Sequence, residues 1–518
     1  MKKLILLVLM VQALIAQNVP FIMEHPVYHF LEKQESLGRI NGEYWSTKPY
    51  TYTQIHDMLN EVKTHAGELT ERELRILRRF QHELNRDLDE DEITFPWQKK
   101  KLKALLKPDS DAVKPLAFTY KQDEVEGWIS VEQTYRIQAN DKGSRGYHTD
   151  NIAIFGQRDK IDFSTQVFLH RVDKSAEFET FPETYRGEFY LERDHIPFNF
   201  WMYPTSSLTL TYNDFTLGAY HQPVYWGYSP NNSSLLSNNV MQYPSFEWTT
   251  VFKHLRFKFL HARLDPNSGL SSDTMIVRRN LSAHRVEFDI TPKFEFAYTE
   301  MVIYADRSFE LAYLNPVNFL IAEEMSKDLD NKMGALDFKW LIRPGLTAYG
   351  SWLLDEFDAW RLFSGWWGNK FVFQTGLQYF PRINVPSLGI EFTAARPWTY
   401  SHSDPKWSYT SGDRSLGLKD GPNSQIIQLS SSWLVIPTLY LEASFTQITQ
   451  GDDPGSDPLN SYLSRQQQDE EDQSFLLGEL VQTEQMRLSG EYYINSVSQI
   501  VFTWVQNQVF EIGIQLNW

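Results

Sequence analysis

The 518-residue chain contains no cysteine. This absence excludes a disulfide framework, a thiolate zinc site, a cysteine nucleophile and a lipid anchor attached to cysteine. A cysteine-free chain of this size is typical of an oxidising compartment, where stray thiols would mispair.

Positive charge is also scarce, since 49 Lys and Arg residues stand against 66 Asp and Glu, for a net charge of −17. A protein that binds phosphates along a nucleic acid needs a basic face. We therefore expect no nucleic-acid partner. The acidic surplus indicates either an ordinary solvated surface or, as a functional alternative, an acidic lumen or acidic outer loops.

Long apolar runs and catalytic signatures are missing as well. Beyond the N-terminus no stretch reaches the roughly 18 apolar residues of a spanning helix, so a membrane could be crossed only by a closed barrel. The sequence has no Gly-x-Ser-x-Gly elbow, no Walker loop and no His-Glu-x-x-His motif. We expect no enzymatic activity, no cofactor and no metal site.

The first residues have the pattern of a signal peptide. Lys2 and Lys3 are basic, Leu4 to Ile15 form a short apolar core, and Ala16 is a small residue before cleavage. We assign residues 1–16 to this peptide, which predicts export.

Residues 17–110 have the spacing of short helices. Pro26 suits a first helical turn, and Thr70 with Glu73 forms a capping-box pattern ahead of Leu74 and Leu77. Three such helices predict a small helical segment on the periplasmic side of an outer membrane.

From residue 111 to the end the period changes from 3.6 to 2. Phe510, Ile512 and Ile514, for example, alternate with Glu511 and Gly513. Strands of this kind have one apolar and one polar face, which suits a membrane barrel but also a soluble sandwich.

The lengths of the connections favour the barrel. Short connections near 253–254, 291–293, 343–345, 435–437 and 495–496 alternate with long ones near 264–282, 305–333, 357–370, 397–424 and 450–480. Tight periplasmic turns and long outer loops give this alternation. About 13 strands from residue 246 onward and about five before it predict an all-β transmembrane barrel of about 18 antiparallel strands, with 16 as the alternative. Residues 212–215 are either a turn or the middle of one strand. Trp518 is expected at the periplasmic end.

Aromatic residues make up 15% of the chain although its mean hydropathy is −0.43. Rings near strand ends form the interfacial girdles of a barrel, whereas rings in long loops can bind the CH faces of sugars. Such loops contain Trp366 and Trp367, and also the group Tyr225, Trp226 and Tyr228. The loop 397–424 adds basic residues to its rings and is locally less acidic than the chain. Our candidate polysaccharide-binding residues are therefore Arg396, Trp398, Tyr400, His402, Lys406, Trp407, Tyr409 and Arg414.

Four stretches of the chain carry a resemblance to a known family. They are residues 26–31, residues 225–227 with 235–239, the block 284–357 with Tyr313-Leu314-Asn315-Pro316 and Leu354-Asp355-Glu356-Phe357, and residues 396–423. As a set they resemble the outer-membrane capsule-assembly proteins of the Wzi type.

The resemblance implies an 18-stranded barrel with a periplasmic helical bundle and a lectin-like role in attaching or organising exported, capsular polysaccharide. The expected partners are this polysaccharide and outer-membrane lipid, and we expect a monomer. A diffusion porin is the alternative, because inward charges such as those of Arg285, Asp337 and Lys339 could line a channel or pair inside a filled lumen. An outer-membrane hydrolase is a third class, but no nucleophile and base can be named.

Overall fold

The structure is a computed structural model of the chain. It describes residues 19–84 apart from 22, 24 and 41–45, residues 93–94, 117–174 apart from 124, 189–191, 197–267, 277–325, 330–465 apart from 363, and 471–517 apart from 496. The predicted signal peptide, the predicted boundary near residue 110 and Trp518 lie outside the described residues.

Eighteen long antiparallel strands form the wall within the described part of the chain, as the alternation of connections predicted. We number them β1 to β18. Their bounds are Val125–Ala139, Ser144–Arg158, Ile161–Asp173, Phe198–Tyr212, Phe215–Gln222, Tyr243–Phe252, Leu255–Leu264, Arg279–Thr291, Phe294–Ala305, Asn331–Arg343, Leu346–Glu356, Lys370–Tyr379, Leu388–Ala395, Ser424–Ile436, Leu439–Asp452, Glu479–Asn495, Ser498–Val505 and Val509–Asn517.

The wall is closed because the last strand pairs with the first, for example Ile512 with Ile137. Five strands precede residue 243 and thirteen follow, which confirms the predicted count. The uncertain residues 212–215 are a tight turn between β4 and β5, with Asn213 at φ 51°, a conformation that Asn tolerates in hairpins. One end of the barrel thus has tight turns and the other has the long loops.

Three helices precede the wall: α1 Val27–Ser36, α2 Tyr52–Thr64 and α3 Glu71–Leu84. The capping box predicted for α3 is present, since the Glu73 amide donates to Thr70 Oγ1 at 3.2 Å and the Thr70 amide donates to Glu73 Oε2 at 3.0 Å. Their apolar faces share one core, which continues onto Trp128 and Phe155 of the wall. This joint core makes the three helices, which we call the helical unit, an integral part of the barrel.

The helical unit closes the tight-turn end. Ser36 Oγ lies 3.0 Å from the hydroxyl of Thr347 at the start of β11, and Arg79 donates to the carbonyl of Pro437 at 3.0 Å. The Arg79 guanidinium also lies 3.8 Å from the ring centre of Tyr493. Contacts to β11, β16 and the turn after β14 fix the unit across the mouth.

A second insertion enters from the opposite end. The connection between β5 and β6, residues 223–242, contributes Trp226, Leu235 and Leu236 to a buried core. Its Tyr225–Trp226 strand pairs antiparallel with Thr47–Lys48, which precede α2. The two insertions therefore meet inside the barrel.

Charged groups of the inner wall bind one another and these insertions. Arg285 is fully buried and donates to Glu287 at 3.0 Å, to Asp337 at 2.9 Å and to Ser46 at 3.2 Å. Lys339 pairs with Glu35 of α1. The sequence left two arrangements open for these charges, lining a channel or pairing inside a filled lumen. In the structure they pair inside a filled section of the lumen.

The outward positions of the wall are apolar, and among them Ile152, Leu208, Leu377 and Ile512 are each at least 40% exposed. They form a band around the barrel that we call the apolar belt. Among the described residues, no helix combines the length and apolar character needed to cross a membrane.

Candidate functional site

Five rings from three long loops form a continuous row on the long-loop end. Successive centroids along Trp366, Trp367, Tyr462, His402 and Trp407 lie 6.1, 6.1, 5.8 and 5.3 Å apart. All five side chains are partly exposed. We call this row the aromatic strip.

Backbone contacts hold the three loops side by side. The Trp367 amide donates to the carbonyl of Glu471 at 2.9 Å, and the Trp398 amide donates to that of Gly455 at 2.9 Å. Ser461 Oγ donates to the carbonyl of Ser403 at 2.6 Å. The loop 453–478 is therefore the middle piece, and it places Tyr462 between the other two loops.

Arg396, a predicted contact for sugar, has a different position. Its side chain is 4% exposed and donates to the carbonyls of Ser474 at 3.0 Å and of Gly365 and Trp366 at 3.2 Å. Arg396 therefore connects its own loop to the other two loops beneath the rings. It supports the strip but does not form part of its surface.

Cations lie against the rings of the strip. The Lys370 Nζ is 3.7 Å from the centroid of Tyr462, Arg465 is 4.5 Å from Trp367, and the Lys406 Nζ is 4.3 Å from Trp407. Cation–π contacts of this kind fix ring orientation.

Two of these cations are paired with carboxylates. Lys370 lies 2.8 Å from Glu356, and Lys406 lies 2.7 Å from Asp306 and 3.3 Å from Asp404. The hydrogen bond to Asp306 raises the pKa of the Lys406 ammonium group. The paired charges leave the ring faces as the main recognition surface.

His402 lies between Tyr462 and Trp407 in the strip. It meets Tyr462 and Trp407 edge-to-face, and burial lowers its pKa to about 4. At neutral pH it is therefore an uncharged ring with two polar edges, which suits contact with sugar hydroxyls.

Three of the other predicted residues are buried. Tyr400 and Tyr409 are 0% exposed and stack at 5.4 Å, and their hydroxyls donate to the carbonyls of Ser234 at 2.7 Å and Leu235 at 2.9 Å. Trp398 is 3% exposed. Tyr409, predicted as a sugar contact, instead fastens its loop to the insertion 223–242.

Arg414 is partly exposed and lies on the small hairpin Thr410–Ser411 with Arg414–Ser415. That hairpin contacts Asp265 on another long loop, through the Gly412 amide at 3.4 Å. The structure thus brings His402, Lys406 and Trp407 together, and it uses the other predicted residues elsewhere.

The sequence missed Tyr462, Arg465 and Lys370. Tyr462 is the single aromatic residue between 452 and 474, so no local enrichment marks it. Lys370 opens a strand, where a lysine is unremarkable. Only the packing of the three loops brings these residues to the strip. Among the described residues, no group of three or more His, Asp or Glu side chains is placed to hold a metal ion.

No family model matches the chain, and no curated protein matches it. Among solved structures it is similar to Wzi of Escherichia coli, described as an outer membrane protein involved in group 1 capsule assembly and as a carbohydrate-binding β-barrel. That match has a TM-score of 0.59 and 12% identity, and it covers 97% of this chain and 100% of the other.

Weaker matches include the outer membrane protein OprD of Pseudomonas aeruginosa, with a TM-score of 0.42, 10% identity and coverage of 76% and 92%. OccAB1 of Acinetobacter baumannii matches with a TM-score of 0.43, 11% identity and coverage of 76% and 96%. At 12% identity the likeness to Wzi shows the fold alone. The chain therefore has the fold of an outer-membrane β-barrel with an N-terminal helical unit.

Proposed function

We propose that this protein binds exported, capsular polysaccharide at the surface of a Gram-negative cell and attaches or organises it there without a chemical step. The aromatic strip is the observation that carries the proposal. Five adjacent rings, all partly exposed and drawn from three loops, offer a row of ring faces and edges to a chain of sugars, because each ring is tilted by 55–74° to the next.

The proposed location is the outer membrane. The belt of apolar side chains and the closed wall match what a barrel needs to satisfy its backbone in lipid. The tight-turn end, with the helical unit, would then lie in the periplasm, and the strip would face outward. Removal of the predicted signal peptide, residues 1–16, would accompany export.

The chemistry of the strip favours stacking over charge pairing. A chain with a net charge of −17 repels an acidic polymer, although salt screens that repulsion beyond about 8 Å. Lys370 and Lys406 already pair with carboxylates. Ring faces therefore provide most of the contact with the polysaccharide. In this proposal the protein acts as a monomer, with polysaccharide and lipid as its partners. The likeness to Wzi, itself described as carbohydrate-binding, supports this role.

Polysaccharide binding by the purified protein tests the proposal. Replacing Trp366 and Trp407, the two ends of the strip, by Ala together should weaken binding by a factor of about 30 or more, because truncating an aromatic hot-spot contact costs about 2 kcal/mol or more. The matched control is Trp360→Ala, since Trp360 is 97% exposed on the same loop as Trp366 but outside the strip. Equal loss in both variants, or no loss in either, would reject the strip as the site.

A diffusion porin is the second candidate, and one observation favours it. On β16 the inward position Arg487, which pairs with the last residue of β17, is exposed, so water reaches the rim of the inner wall there. The two insertions that meet in the lumen argue against a wide passage. We expect planar bilayers containing the purified protein to show no large, steady current. Such a current would favour the porin.

A further inference from the structure

The loop between β9 and β10 folds back along the outside of the barrel. It comprises residues 306–325 with two short helices, α4 Leu311–Leu314 and α5 Leu320–Met325, and we call it the sleeve. The Ile321 amide donates to Glu300 Oε2 at 3.1 Å, and Ser282 Oγ donates to the carbonyl of Tyr313 at 2.7 Å. The sleeve is thus bonded to two strands of the wall.

The contacted side chains point away from the lumen. Thr299 accepts a hydrogen bond from the buried Arg285 inside the barrel, so its neighbour Glu300 faces outward. Glu300 lies five residues before the end of β9 at Ala305. At the rise per residue of a strand, these five residues span about 17 Å along β9. The sleeve therefore reaches well down the outer wall.

The wall beneath the sleeve includes polar side chains where a lipid-facing wall should be apolar, beside the apolar Val302 and Tyr304. His261, Ser282 and Glu300 lie there, and all three are buried. Phe309 packs edge-on against His261 at 5.3 Å, and Ile321 covers Gly334, where an added Cβ would meet it at 3.5 Å. The sleeve therefore spans four strands, β7 to β10, and removes their polar groups from the surface.

The outer face of the sleeve is strongly apolar. Phe309, Leu311, Val317 and Phe319 are 68, 84, 72 and 71% exposed, against 43% for Leu336 of the neighbouring belt. Exposed apolar patches of this kind mark membrane or protein contacts.

Charged groups at the start of the sleeve have partners. The Arg307 Nε lies 2.6 Å from Glu310 Oε2, and Arg307 also pairs with Asp330 just beyond the sleeve. Tyr313 donates to the same Asp330 carboxylate at 2.8 Å, and Asp306 pairs with Lys406. These pairs leave the exposed apolar side chains as the main part of the outward surface.

We propose that the outer face of the sleeve is immersed in the acyl chains of the outer leaflet. It restores the apolar belt where the strands themselves carry His261, Ser282 and Glu300, and lipid is its partner. The inference rests on the proposed outer-membrane location. Continuity with the belt supports lipid as the occupant rather than a second protein.

The absence of cysteine allows a direct test. Single variants Val317→Cys, Leu377→Cys and Leu463→Cys are labelled with a fluorophore and reconstituted in phosphatidylcholine vesicles with and without a nitroxide on the acyl chain. Leu377 is a belt residue at 44% exposure, and Leu463 is 71% exposed on the loop 453–478. We expect the nitroxide to quench the label at position 317 as strongly as that at 377, and to leave the label at 463 unquenched.

The outcomes separate the two proposals. If position 377 is quenched and position 317 behaves like 463, the membrane location stands and the immersed sleeve is rejected. Shielding of position 317 together with disulfide cross-linking between copies through it would also reject lipid, and would identify a contact between two chains. If position 377 itself is unquenched, the membrane location fails.

Discussion

Lys339 on the inner wall forms an ion pair with Glu35 on the first helix, 304 residues earlier in the chain. Both side chains are largely buried, at 16% and 12% exposure. Burial raises the pKa of the Glu35 carboxyl group, and the ammonium of Lys339 opposes that shift. The helical unit is thus fastened inside the barrel by a charged contact in addition to its apolar core.

Breaking this pair should loosen the helical unit. Removing one partner of a buried pair leaves an uncompensated charge, which costs about 3–5 kcal/mol. We expect Lys339→Met to accelerate hydrogen exchange throughout α1 while the wall stays protected. Hydrogen exchange resolved by mass spectrometry measures this.

The matched double variant Lys339→Met with Glu35→Gln removes both partners of this ion pair. It should recover most of the protection of α1, and Lys293→Met in an exposed turn should change nothing. Unaltered exchange in the Lys339→Met single variant would mean that the ion pair does not hold the helical unit.

Tyr409 should be needed for the fold of its loop. Tyr409→Ala removes a buried ring stacked on Tyr400 and a hydrogen bond to the Leu235 carbonyl, at a cost of about 3–5 kcal/mol by analogy with other buried aromatic truncations. Tyr409→Phe loses only the hydrogen bond, about 1 kcal/mol. We expect limited proteolysis to cut the loop 396–423 rapidly in Tyr409→Ala and slowly in Tyr409→Phe. Equal resistance of Tyr409→Ala and the parent would contradict the packing described.

The sequence predicted the wall better than the site, for a physical reason. Alternation has a period of two and each turn is local, so the turn at Lys253–His254 could be placed from neighbouring residues alone. The pairing of charges is not local. Asp337 and Lys339 lie two residues apart on the inner face, but Arg285 bonds Asp337 and Lys339 reaches Glu35. Trp407 could be singled out as a loop aromatic, whereas its row with Tyr462 depends on how three loops pack.

The alternation of connections also gives a topology that can be checked on cells. An epitope tag at Gly412–Asp413, exposed in a long loop, should be labelled by antibody on intact cells. A tag in the exposed turn Lys253–His254 should be labelled only after the outer membrane is permeabilised. Labelling of the turn on intact cells would invert the proposed orientation.

The pH dependence of binding should depend on His402. Burial between Tyr462 and Trp407 lowers its pKa from 6.5 to about 4; the carboxylate of Glu356 opposes this shift by a smaller amount, and the ammonium of Lys370 adds to it. Protonation of His402 therefore favours a conformation in which its imidazole is no longer buried between Tyr462 and Trp407 and regains its ordinary pKa. The contribution of neutral His402 to the stability of the strip is complete above pH 6.5. It is lost as the pH falls towards 4. The free energy of this contribution changes by at most about 1.4 kcal/mol per pH unit.

The variant His402→Phe isolates this effect, because it keeps a ring between Tyr462 and Trp407 but cannot take up a proton. Polysaccharide binding by the parent should be constant from pH 8 to 7 and weaken below about 6.5. Binding by the Phe variant should not change over this pH range. Titrating both proteins against the same polymer removes the ionisation of the polymer from the comparison. Identical profiles for the two proteins would show that protonation of His402 does not control the strip. A parent profile that weakens while the variant stays flat places the proton on the imidazole, because the two chains differ only there.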